Sequence, residues 1–119
     1  MKLQLSTTLS ALILTLGSAA ALAGAHAAEV APSMDANSCD RPKYPKAALI
    51  NEETGTVSMG FLIAADGKVM ESKVEKSSGS KSLDKAALSS LSQCKFKAGS
   101  KDGKPSELWA KVDFTWKLE

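Results

Sequence analysis

The chain has 119 residues, with 15 Lys and Arg against 13 Asp and Glu, a formal net charge of +2. That length holds one small domain and excludes a second, and so even a charge balance leaves no footprint for nucleic acid or an anionic membrane surface. One histidine and two cysteines give metal and acid–base chemistry little to work with.

After Lys2, an apolar stretch rich in Leu and Ala runs from Leu9 to Ala25 and ends in Ala25-His26-Ala27, a small-x-small pattern that fits a signal peptidase pocket. Residues 1–27 read as a secretory signal peptide cleaved after Ala27. The rival reading is a retained membrane anchor, but about 17 residues lie just under the roughly 20 that span a bilayer as a helix. Gly17, Ser18 and Gly24 also interrupt the run. Cleavage takes Lys2 and the only histidine with it, leaving 14 basic against 13 acidic side chains. A His-based nucleophile triad is then impossible.

Residues 28–38 are small and polar with no periodicity, and are expected to be a flexible leader; the folded domain is expected over residues 39–119. In Arg41-Pro42-Lys43-Tyr44-Pro45 the two prolines forbid regular strand pairing, and Pro45 opens a short helix over Lys46-Ala47-Ala48-Leu49-Ile50. Tyr44 is expected to anchor the core with its hydroxyl at the rim, the alternative being contact with a partner.

From Gly55 the period switches to two, with Val57, Met59, Phe61 and Ile63 on one face and Thr56, Ser58 and Gly60 on the other: a half-buried strand. Asp66-Gly67 accepts positive φ and predicts a hairpin into a second strand over Lys68 to Lys76, whose weaker alternation predicts a bulge or an exposed stretch. Ser77-Ser78-Gly79-Ser80 breaks that strand. Ser80 or Ser82 can cap a helix running to about Gln93, with Asp84 well placed against its dipole. Leu83, Ala87, Leu91 and Cys94 form one stripe facing the sheet. The serine cluster has no base and no following Lys-Ser/Thr pair, so it does not read as a nucleophile or phosphate loop.

Phe96 continues the apolar path, and Lys101-Asp102-Gly103-Lys104-Pro105 is a turn into a last strand. That strand puts Leu108, Ala110, Val112, Phe114, Trp116 and Leu118 on one face. On the other face only Trp109 is apolar; it either packs under the Arg41–Pro45 loop or waits for a partner. Cys39 and Cys94 lie in a chain bound for an oxidising compartment, so a disulfide is the economical reading, with two separately buried thiols as its rival.

The markers Pro42-x-Tyr44-Pro45-x-x-Ala48, Gly55-Thr56-Val57, Asp66-Gly67-x-Val69, Ser77-Ser78-Gly79, Leu83-Asp84-x-Ala86-Ala87, Cys94-x-Phe96, Gly103-x-Pro105 and the aromatic last strand follow in order. Together they resemble the TonB C-terminal domain family across residues 39–119. The resemblance implies an α+β fold: a small antiparallel three-stranded sheet packed on a helix, in the order short helix, strand, strand, helix, strand. It also implies a periplasmic protein that takes a TonB-box-like segment of an outer-membrane receptor, or a segment of another periplasmic protein, as an extra strand beside its last one. Carried over, the partner-binding residues are Leu108, Trp109, Lys111, Asp113, Thr115 and Lys117, flanked by Arg41 and Tyr44.

A complete energy transducer of this kind resembles an uncleaved anchor helix followed by a long Pro-rich spacer. Here the leader reaches only about 40 Å when fully extended. The leading expectation is therefore a periplasmic peptide-binding module associated with transmembrane transport. Two alternatives stand beside it: a shortened transducer anchored by residues 9–25, and a structural homodimer pairing through the final strand. No enzymatic activity, cofactor, metal, nucleic acid or small-molecule substrate is expected.

Overall fold

A computed structural model describes residues 28–119; the expected signal peptide, residues 1–27 with His26, lies outside the described residues. In chain order the elements are β1 (Glu29–Val30), β2 (Ser33–Asp35), a 3-10 turn (Ala36–Ser38), α1 (Lys46–Ile50), β3 (Gly55–Ile63), β4 (Val69–Lys76), α2 (Lys81–Leu91), β5 (Lys95–Lys97), β6 (Gly99–Lys101), β7 (Lys104–Ser106) and β8 (Leu108–Trp116).

The main sheet is antiparallel with strand order β4-β3-β8. Its centre is β3, whose alternation has the predicted outcome: Val57, Met59, Phe61 and Ile63 are fully buried. The hairpin to β4 turns at Asp66-Gly67, where Gly67 N–H donates to the Ala64 carbonyl at 2.8 Å and the Asp66 carboxylate accepts from Lys68 N–H at 3.0 Å. Register shifts at Ser58/Met59 and Leu62/Ile63 account for the poor alternation of β4, which is exposed along nearly all its length. β8 pairs with β3 without interruption, from Gly55 opposite Trp116 to Ile63 opposite Leu108.

Helix α2 covers one face of this sheet. Ser80 is the cap, its hydroxyl accepting from Leu83 N–H at 3.2 Å. The stripe Leu83, Ala87, Leu91 and Cys94 is buried against the strands, as are Ala48 of α1 and Phe96 of β5. Asp84 goes beyond complementing the helix dipole. It is buried, and its carboxylate accepts from the hydroxyls of Ser77 and Ser78 and from Ser78 N–H at 2.8 Å, tying the serine turn to the helix.

One expectation needs correction, and one of two alternatives left open for Trp109 falls. The segment 28–38 is not an unstructured leader: β1 pairs antiparallel with β6 (Glu29 opposite Lys101) and β2 with β5 (Met34 opposite Phe96). The Ser38 hydroxyl accepts from Lys95 N–H at 2.7 Å, and Asp102 N–H donates to the Ala28 carbonyl at 2.9 Å. These bonds are main-chain pairings, or pairings through a short hydroxyl, so they need no side-chain periodicity. Trp109, for its part, does not pack under the Arg41–Pro45 loop. It lies on the face away from α2, across Gly60, where an added Cβ would sit 3.3 Å from its ring and 2.9 Å from a Glu75 carboxylate oxygen. The Lys73 ammonium stands 4.4 Å from its ring centroid.

Candidate functional site

Of the two outer strands of the main sheet, β4 is a poor template for another strand. Its register breaks twice, and it carries Glu71, Lys73, Glu75 and Lys76, the charges and bulges by which sheet edges discourage pairing. β8 is regular over its whole length, and on its far side no described strand pairs with it. Its main-chain groups on that side have no strand partner among the described residues.

Near its C-terminal end this edge faces the loop that leads into α1. Tyr44 fixes the loop: its hydroxyl donates to the Glu53 carbonyl and its ring meets Trp116 edge-on, with centroids 4.9 Å apart. Trp116 in turn meets Phe114 at 4.9 Å. The Trp116 Nε1 is buried and finds no acceptor among the described residues. Between loop and strand lies an open hollow of roughly 330 Å³, whose walls include Arg41, Tyr44, Phe114, Thr115, Trp116 and Lys117. Phe114 and Trp116 belong to the helix-facing side of β8 and Thr115 to the other, so a hollow touching all three, and Lys117 just beyond the strand, straddles the strand's edge.

Four of the eight expected partner-binding residues, Arg41, Tyr44, Thr115 and Lys117, thus meet around one hollow. Leu108, Trp109, Lys111 and Asp113 are strung further along β8 and do not line it. Thr115 is also engaged across the sheet, its hydroxyl 2.9 Å from that of Thr56. Phe114 and Trp116, which shape the hollow, are not among the expected partner-binding residues; the sequence places them only on the apolar face of the last strand. Their signal in the sequence is the aromatic pair at i and i+2 in the last strand.

Behind the loop, Cys39 and Cys94 form a disulfide with Cα atoms 4.8 Å apart. It joins the start of the loop to the chain just beyond α2, and the Ser90 hydroxyl donates to the Asp40 carbonyl at 3.4 Å beside it. The wall facing β8 is therefore held at both ends, covalently at Cys39 and by Tyr44 at the other.

A three-stranded antiparallel sheet with one regular edge strand, a helix on one face and a pinned loop beside that strand defines a small α+β module. The chain belongs to the TonB C-terminal family: the family model described as Gram-negative bacterial TonB protein C-terminal matches residues 40–118. It is 41% identical over 73 residues to Protein TonB of Haemophilus influenzae, covering 61% of this chain and 27% of that protein. It is 32% identical over 77 residues to Protein tonB2 of Pseudomonas aeruginosa, covering 65% and 28%. The chain therefore spans about a quarter of the length of these curated relatives. Among solved structures, the solution NMR structure of the Pseudomonas aeruginosa TonB CTD aligns with a TM-score of 0.57 at 25% identity, covering 74% of this chain and 87% of that one. The Helicobacter pylori TonB-CTD (residues 179-285) aligns with a TM-score of 0.52 at 30% identity, covering 66% and 70%.

Proposed function

We propose that this domain is a periplasmic module that binds an extended peptide, a TonB-box-like segment of an outer-membrane receptor, by adding it as a strand to the free edge of β8, in the service of transmembrane transport. The observation that carries the reading is the unbroken β8 edge next to the hollow between Thr115, Lys117, Arg41 and Tyr44. Main-chain hydrogen bonds along the edge supply affinity, and every second side chain of the added segment meets each face of the sheet. Membership of the TonB C-terminal family supports the partner class.

Titration of the isotope-labelled, oxidised protein with extended TonB-box peptides tests this. Backbone amide shifts concentrated on residues 108–117 and around Tyr44 are expected. Saturating peptide with no shift there, together with protection of the same strand by a second copy, would replace the reading with a homodimer.

With cleavage after Ala27 the module works free of the inner membrane. The intact mass of the exported protein decides this: a mass that retains residues 1–27 makes the chain an anchored, shortened transducer instead.

A further inference from the structure

The main sheet is too narrow to cover all that lies beside it. On its helix-facing side, under the free edge of β8, a second hollow of roughly 300 Å³ is lined by Met34, Cys39, Arg41, Pro42, Leu91 and Phe114. Phe114 stands opposite the fully buried Val57 in the β3–β8 register, and Leu91 belongs to the buried stripe of α2, which places the hollow on the core side of the strand. Met34 is held by the pairing of β2 with β5 and Cys39 by its disulfide, so the outer wall is built from the segment 33–39 and is fixed in place. Arg41, Pro42 and Phe114 also line the first hollow, so the two share a wall.

Neighbouring strands lie about 4.8 Å apart, and residues directly opposite each other point their side chains to the same face. A strand added to β8 lies over this gap, and its residue beside Phe114 aims its side chain at Leu91, Cys39 and Met34. The residues before and after it point to the other face, beside Asp113 and Thr115.

We propose that this hollow is the anchor subsite of the docking edge, accepting one leucine- to phenylalanine-sized apolar side chain of the incoming segment; the inference rests on the strand-addition reading. The peptide class it selects is an extended segment with an apolar residue flanked on both sides by polar ones.

The test uses the oxidised protein and a set of extended, otherwise Ser/Thr-rich peptides carrying a single Leu, Phe, Ser or Asp at successive positions, with backbone amides of β8 and side-chain methyls of Met34 and Leu91 recorded together. At one position Leu or Phe should bind about tenfold tighter than Ser, as expected for burying one such side chain, and should move both methyl signals; displacement by one residue should abolish the effect. Ala36, exposed at the rim of the hollow, offers a variant that leaves the core alone. In Ala36→Trp the indole fills the space, and the Leu preference should fall to twofold or less while the β8 amide shifts persist. If every peptide moves the β8 amides but Leu and Ser bind equally and the methyls stay still, the anchor is overturned and strand addition stands. If no peptide moves the β8 amides, strand addition fails and the anchor falls with it, whether or not the methyls respond.

Discussion

Tyr44 and Trp116 meet with ring centroids 4.9 Å apart and planes inclined at 70°, so a residue of the lead-in loop and a residue of the last strand are locked edge to face. The Tyr44 hydroxyl then bonds the Glu53 carbonyl just after α1. One side chain thus sets the loop's height above the sheet. Tyr44→Phe keeps the ring contact but strands the Glu53 carbonyl, and should cost about 1–2 kcal/mol in urea unfolding. Tyr44→Ala removes both and should cost about 3–5 kcal/mol, with broadened amides at Arg41 to Lys43.

The Cys39–Cys94 bond closes a loop of 55 residues. On the chain-entropy account that constrains the unfolded chain by about 4 kcal/mol, a large share of what a domain of this size can offer. The Cys39→Ser/Cys94→Ser double variant should show that loss in denaturant midpoint. Its amide exchange should speed up in residues 29–38 before it does in β3.

Burial alone would push the Asp84 carboxyl up, but the Ser77 hydroxyl and the amide and hydroxyl of Ser78 donate to it and hold its pKa below the ordinary carboxylate value. A carboxyl that ionises more readily folded than unfolded contributes its full stability above the unfolded value. That contribution is lost as pH falls from about 4 through the folded value. Asp84→Asn should cost about 1–3 kcal/mol at neutral pH, and should flatten the acid limb of a stability–pH curve.

Gly55 has φ of +146°, and a Cβ there would lie 2.5 Å from the Ser78 carbonyl oxygen. Both the backbone angle and the close approach demand glycine. Gly55→Ala should cost about 1–3 kcal/mol, and the displaced Ser77–Ser80 turn should show in the amide shifts of Ser78 and Asp84.

What could be read in advance follows from where the information sits. Val57, Met59, Phe61 and Ile63, and the stripe from Leu83 to Cys94, write their burial into side-chain period, and the observed elements match those periods. The pairing of Ser33–Asp35 with Lys95–Lys97 is carried by the backbone between segments more than 50 residues apart, with only Met34 and Phe96 to hint at it. The two alternatives for Trp109 could not be separated from sequence because its neighbour is an absence: the missing side chain of Gly60 makes room for the ring, and Lys73 closes over it from β4. Asp84 looked like a helix-dipole residue because the serines it binds precede α2 in a turn whose geometry no periodicity encodes.

The pairing of the 28–38 segment also sets a load path. Tension applied to the chain at residue 28 strips the two residue pairs of β1–β6, then the three of β2–β5, one short antiparallel pair after another. At Cys39 the peeling meets a covalent bond, and the pull passes through Cys94 into the chain behind α2 without reaching Arg41 or Tyr44. Pulled in a single-molecule trap between residue 28 and the C-terminus, the oxidised protein should release residues 28–38 and the chain after Cys94 but never residues 40–93, while the reduced protein should extend through that loop as well. The disulfide is a mechanical bypass: it lets the N-terminal side give way under strain while the Arg41–Pro45 loop, β3, β4 and α2 are carried outside the line of force.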